Sequence, residues 1–256
     1  PFTWLLRDAQ VRIGKHIKAG LHVIAGGPAV KLLPKYLDWA EIGDDMPFLQ
    51  YHNPNATVTT RGCIRGCPFC AVPKIEGNFR ELKDFEAKPI VCDNNLLASS
   101  YKHFNAVMDA LKPLKGIDFN QGLDCRLLET YHLDRFKELD LELLRFAWDF
   151  IEEEPRLMRA IQMVKNAGFK PGKIRVYVLV GFNDTPDDAL YRCETLKSMG
   201  VLPNVMRYQT LDCLTKNSFV ATSWTAKLLA DFTRYWNRQN WLGHIPWEEY
   251  KSKQLE

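Results

Sequence analysis

From residue 55 onward the chain alternates between short apolar runs rich in β-branched residues and longer stretches of helical period. Strands are expected at 55–60, 89–93, 116–120, 142–148, 173–180 and 205–211. Helices are expected at 100–112, 129–139, 154–167, 186–199 and 225–239. Strand–helix alternation of this kind is the signature of a parallel α/β sheet, because parallel neighbours need a crossover long enough to hold a helix. The fifth run, Ile174-Arg175-Val176-Tyr177-Val178-Leu179-Val180, is the strongest. Ahead of the alternation, residues 5–19 read as a basic amphipathic helix, and 21–28 as a buried strand ending in a tight Gly26-Gly27-Pro28 turn. A chain of 256 residues that is 46% hydrophobic can build one sizeable core. A net charge of +3 is too small to argue nucleic-acid binding by itself.

The loop after the first strand carries Arg61-Gly62-Cys63-Ile64-Arg65-Gly66-Cys67-Pro68-Phe69-Cys70, a C-x3-C-x2-C run. Gly62, Gly66 and Pro68 disfavour helix, so the three thiols can wrap one compact centre. Thiolates are soft donors that select iron–sulfur clusters, zinc or copper(I). Structural zinc wants four ligands, usually as two separated pairs. Cys92, Cys125, Cys193 and Cys213 are scattered singly and supply no second pair. A disulfide reading is weaker, since Cys67 and Cys70 flank only two residues and the total of seven is odd.

The spacing, with aromatic Phe69 just before the last cysteine, resembles the radical S-adenosylmethionine (SAM) superfamily. That resemblance implies a [4Fe-4S] cluster on Cys63, Cys67 and Cys70, with SAM chelating the fourth iron. It implies reductive cleavage of SAM to a 5′-deoxyadenosyl radical that takes hydrogen from a substrate. The fold implied is a partial (β/α)6 barrel with a short N-terminal helix–strand extension. The expected divisions are 1–50 (extension), 51–215 (barrel) and 216–256 (C-terminal helix and basic–aromatic tail). The pattern looks most like cobalamin-associated and methylthiotransferase-like members. The first 50 residues are too few for a cobalamin domain, which runs to roughly 100 residues or more. The Asp-x-His-x-x-Gly motif is also absent, so no cobalamin is expected. Residues 1–50 resemble a remnant or cap of such a domain, and an unrelated helix–strand extension is an equal reading. No initiator Met is present, which fits a processed, trimmed or partial chain.

Ligands of parallel α/β folds sit beyond the carboxyl ends of the strands. Asp93-Asn94-Asn95 follows the second strand, where relatives contact the SAM amino group; a helix N-cap is the alternative. Arg126, after the third strand, matches an arginine of the cobalamin-associated relatives. It is open to the SAM carboxylate or to a structural ion pair. Asp149, after the fourth strand, stands where the family often has a ribose-binding glutamate, though the Gly-x-Glu pattern is missing and capping competes. Gly181 opens a turn that resembles the family's Gly-x-Pro-x-Glu-Thr, placing backbone near adenine; Thr185-Pro186 reads as a helix N-cap and first turn. Cys125 and Cys213, near strand ends, are candidate hydrogen donors, against the plain reading of buried small hydrophobes.

The tail Arg234-Tyr235-Trp236-Asn237-Arg238-Gln239-Asn240-Trp241 interleaves bases with aromatics. It suits stacking on nucleobases, but the favoured reading is an amphipathic helix and tail that close the barrel bottom with the Trp rings in the core. The tail tilts the substrate expectation slightly toward a nucleotide or nucleic-acid base, with isomerisation or rearrangement chemistry, since a single cysteine cluster leaves no auxiliary centre. Lys74, Arg80, Lys83 and Lys88 near the loop fit an acidic electron donor of flavodoxin or ferredoxin type. A cytoplasmic monomer without membrane contact is expected. The alternatives are a cobalamin-dependent methyltransferase lacking its first half and a zinc-bearing nucleic-acid-binding module.

Overall fold

The computed structural model describes residues 3–37, 40–43 and 48–253. Its centre is a six-stranded sheet: β1 (Ala56–Thr57), β2 (Ile90–Val91), β3 (Ile117–Phe119), β4 (Leu141–Trp148), β5 (Ile174–Val180) and β6 (Leu202–Arg207). The strands lie side by side in chain order and every neighbouring pair is parallel. Six helices follow them: α1 (Val72–Ile75), α2 (Tyr101–Leu111), α3 (Thr130–Phe136), α4 (Glu154–Asn166), α5 (Pro186–Ser198) and α6 (Ala226–Trp236). Sequential parallel order with the usual right-handed crossovers puts α2–α6 on one face of the sheet, where they share one core with the strands.

The side chains show which face that is. Leu144, Phe146 and Trp148 on β4, and Ile174, Val176 and Val178 on β5, are fully buried with the helices. The alternate face mixes apolar residues such as Leu143 and Ala147 with half-buried polar ones, Asp118, Arg145 and Tyr177. A sheet buried equally on both faces would read apolar throughout. Here the second face is the concave, wetter one, and β1 and β6 are unpaired edges, so the sheet is open.

Local chemistry sets the helix starts. Ser100 accepts from the His103 N–H at the head of α2 (3.2 Å). Thr185 does the same for Asp188 at the head of α5 (3.1 Å), with Pro186 next in the first turn. Pro203 within β6 removes a ladder donor, which an edge strand tolerates. The sixth strand runs 202–207 rather than the expected 205–211. The first strand is also shorter than its apolar run, because Thr60–Arg61 leaves the sheet to pair antiparallel with Arg80–Glu81.

The N-terminal segment has a helix, Leu5–Lys18, and a two-stranded parallel sheet, Ile24–Ala25 with Glu41–Ile42, around its own small cluster of Leu6, Ala25, Val30, Leu37 and Ala40. The C-terminal segment has no core of its own. Leu229, Phe232, Tyr235, Trp236, Trp247 and Tyr250 all belong to the main core. Most rings of the basic–aromatic tail are therefore packing groups. No helix among the described residues is long and apolar enough to cross a membrane.

Candidate functional site

All six strands end at the same edge of the sheet, and the cysteine loop leaves from that edge after β1. The loop is held at its root. Asp93, just after β2, is buried and accepts from the backbone N–H groups of Thr59 (2.6 Å) and Thr60 (3.0 Å) and from the Thr59 hydroxyl. Burial raises its carboxyl pKa, against the pull of these donors. Glu76, at the end of α1, accepts from the Gly62 N–H (2.8 Å), Arg61 (3.1 Å) and the Asn94 amide (2.8 Å). Gly62 has φ +72°, and a side chain there would run into the Asn78 carbonyl, so glycine is required. Asp93 therefore serves as a loop anchor, both its oxygens taken by protein donors, and Asn94 joins the anchor through its amide nitrogen.

The three cysteines are half-buried. The Arg65 N–H points at Cys63 Sγ (3.3 Å) and the Val72 N–H at Cys70 Sγ (3.5 Å). Asn95, 1% exposed, directs its amide nitrogen to Cys63 Sγ (3.6 Å) and to Asp124 Oδ2 (3.1 Å), and its Oδ1 is buried without a partner. Burial, then the charge of Asp149 and of the neighbouring thiols, pushes Cys67 up to about 11, with Arg65 opposing. Cys70 is also raised, first by burial. A cationic centre would reverse this, since thiolates ligate only when deprotonated. Among the described residues no three His, Cys, Asp or Glu side chains are arranged to hold a single metal ion. The donor set is three soft sulfurs, with N–H groups aimed at two of them and an orphaned acceptor alongside. Soft sulfur donors of this kind are what thiophilic metal ions and iron–sulfur clusters take.

The far side of the loop is clamped to the turns after β4 and β5. Arg65 pairs with Glu153. Glu153 in turn accepts from the backbone N–H groups of Asp149 (3.1 Å) and Phe150 (3.4 Å). The Phe69 ring lies 5.8 Å from Phe150 and 5.6 Å from Phe182. Phe182 continues to Tyr208 (4.7 Å) and Tyr208 to Phe219 (5.0 Å), an aromatic row running from the cysteine loop past β6.

Arg126 is committed to Asp124 in a two-pronged pair (2.8 and 2.6 Å). Burial opposes ionisation of Asp124, but the hydrogen bonds and charge of Arg126 hold its carboxyl below the usual range. Of the two sequence readings for Arg126, the ion pair is the one present. Asp149 differs: no hydrogen bond reaches its carboxylate among the described residues. Burial, then the charge of Glu153, raises its pKa to about 6, with Arg65 and Arg192 opposing. Gly181 has φ +74° and donates its N–H to Asp184 (2.8 Å). A Cβ there would lie 2.9 Å from Leu229.

The two candidate hydrogen donors are both enclosed. Cys125 is buried, and burial raises it to about 11. Cys213 is covered by Thr3, whose hydroxyl donates to the Cys213 carbonyl (2.7 Å). Strand-end position alone did not reveal this covering from the other end of the chain.

Four groups escaped the sequence reading. On the concave face Arg145 makes a double hydrogen bond to Asp118 (2.6 and 2.7 Å) and lies over the Tyr177 ring, whose hydroxyl donates to the Asn120 carbonyl (2.8 Å). Arg192, 1% exposed on α5, ties Asp184 (2.5 Å) to the Trp148 (2.8 Å) and Asp149 (3.1 Å) carbonyls, fixing the ends of β4 and β5 together. The signal for the first three was present: Asp118, Arg145 and Tyr177 each stand between apolar neighbours at period two, marking one face as polar. No protein-family model matches the chain, and no curated protein matches its sequence.

Proposed function

We propose that the protein is a radical SAM enzyme in which Cys63, Cys67 and Cys70 hold a [4Fe-4S] cluster at the carboxyl edge of a partial barrel. The observation that carries this reading is the anchored three-cysteine loop at the edge where parallel α/β folds bind ligands. When bound, the cluster and SAM supply reductive cleavage of a sulfonium and a carbon radical able to take a hydrogen atom.

The chain's own groups have separate tasks. Asn95 orients Cys63 and offers its unpartnered Oδ1 to a donor such as an ammonium. Asp149 offers a carboxylate free of protein donors, fitted to hydroxyl groups such as those of a ribose. The Arg126–Asp124 pair holds Asn95 in place. Phe69, Phe150 and Phe182 keep water from the loop's inner side. The concave face with Asp118, Arg145 and Tyr177 suits a polar substrate, and one cluster suits isomerisation or rearrangement. Exposed Lys74 and Lys83 beside the loop suit an acidic electron donor.

The test is anaerobic reconstitution with iron and sulfide, then dithionite, SAM and an assay for 5′-deoxyadenosine. The expected result is broad cluster absorption and SAM cleavage, both lost in Cys67→Ala. A colourless protein that carries zinc and leaves SAM intact overturns the proposal.

A further inference from the structure

At the opposite edge, where the strands begin, a hollow of about 430 Å³ opens between the starts of β5 and β6 and the segment after α6. Its lining includes Arg175, Asn204, Arg238, Asn240 and Trp241, and no acidic residue. Asn237 fixes the wall by exchanging two hydrogen bonds with the Val205 backbone on the edge strand, both 2.8 Å. Trp241 is the one large aromatic of the basic–aromatic tail left in solvent, 76% exposed, while Trp236 and Trp247 are core.

The charge of this hollow is uncompensated for a structural reason. Arg175 and Arg145 are register partners on adjacent parallel strands and share the concave face. Asp118 takes both prongs of Arg145. Arg175 is half-buried beside it, Arg238 is exposed, and among the described residues neither side chain makes an ion pair or hydrogen bond. A partly desolvated guanidinium with no counter-ion calls for an anion. An exposed indole in the same hollow calls for a planar partner.

We infer that this hollow binds a nucleotide unit, the phosphate on Arg175 and Arg238 and the base against Trp241. It stands apart from the cysteine loop, since β5 has seven residues at about 3.3 Å each between the two edges. The inference does not rest on radical chemistry. A free nucleotide and a segment of single-stranded nucleic acid share this chemistry, and titration separates them.

The experiment is calorimetric titration of the reconstituted full chain with AMP and with a short oligoadenylate, at several salt concentrations. Wild type, Trp241→Ala and Arg238→Gln are compared. The expected result is saturable binding that weakens about tenfold in Trp241→Ala. Arg238→Gln should weaken it too and lower its salt dependence by about one ion. Equal affinity for AMP and oligomer assigns a free nucleotide; binding of the oligomer alone assigns a strand. No binding at millimolar concentrations, or affinity unchanged in both variants, overturns the inference. Deoxyadenosine formation should persist in both variants, so failure here leaves the radical reading standing and failure there leaves this one.

Discussion

Asp149 is held against its own ionisation, and neutralising it should stabilise the cofactor-free protein. Its carboxyl rises from 3.8 to about 6 because burial and Glu153 outweigh Arg65 and Arg192. The sign follows from proton binding. Below the unfolded value both states are protonated and nothing is lost. As pH rises from 3.8 toward 6 the unfolded chain ionises first, and the folded state loses stability until both are charged. Two units correspond to about 3 kcal/mol lost at pH 7, about half that at pH 5 and about 0.5 kcal/mol at pH 4. Asp149→Asn removes the titration while keeping the shape, so the variant should gain about 1–3 kcal/mol at pH 7, allowing for the weaker hydration it leaves behind. Urea unfolding of both proteins under reducing conditions, followed by circular dichroism from pH 4.5 to 8, reads the difference directly. The gap should close toward the acid end. A variant no more stable than wild type at pH 7, or a gap constant with pH, would refute the reasoning. The same variant should bind SAM more weakly, a trade of stability against function.

Three further outcomes follow from the geometry. Asp93→Ala should cost about 3 kcal/mol in urea unfolding, because the Thr59 and Thr60 N–H groups are left buried without an acceptor; iron uptake should fall with it. Arg192→Met should cost about 3–5 kcal/mol by leaving the Asp184 charge without its cation and taking a donor from two strand-end carbonyls, with Asp184→Asn in the same chain restoring part of the loss. Gly181→Ala should lower stability by about 2 kcal/mol, the sum of a left-handed backbone and the press against Leu229, and thermal unfolding would show it.

The parallel sheet was legible because each strand carries its own apolar run, and the long ones, β4 and β5, begin and end within a residue of the expected bounds. The ends that moved did so for tertiary reasons. The first strand shortened because Thr60–Arg61 found a partner in Arg80–Glu81, which no local pattern announces. In the site, the cysteines stand out by spacing alone. The roles of Asp93 and Asn94 were not legible, because a polar run after a strand looks the same whether it faces a ligand or ties down a loop. Arg192 was hidden more deeply: on α5 it reads as one more helical arginine, and only the packed fold brings two strand ends to its guanidinium.

One carboxylate, Glu76, gathers the start of the cysteine loop, its glycine turn and the chain after β2. A small zinc domain has no such internal support, so its metal and its fold arrive together. Here the loop is held by hydrogen bonds from the protein's own side chains and backbone. If the loop holds a cluster as proposed, this support would let the polypeptide fold without iron and take up the cluster as a late step. Loss of the cluster to oxygen would then cost activity without unfolding the chain, leaving a form that can be recharged.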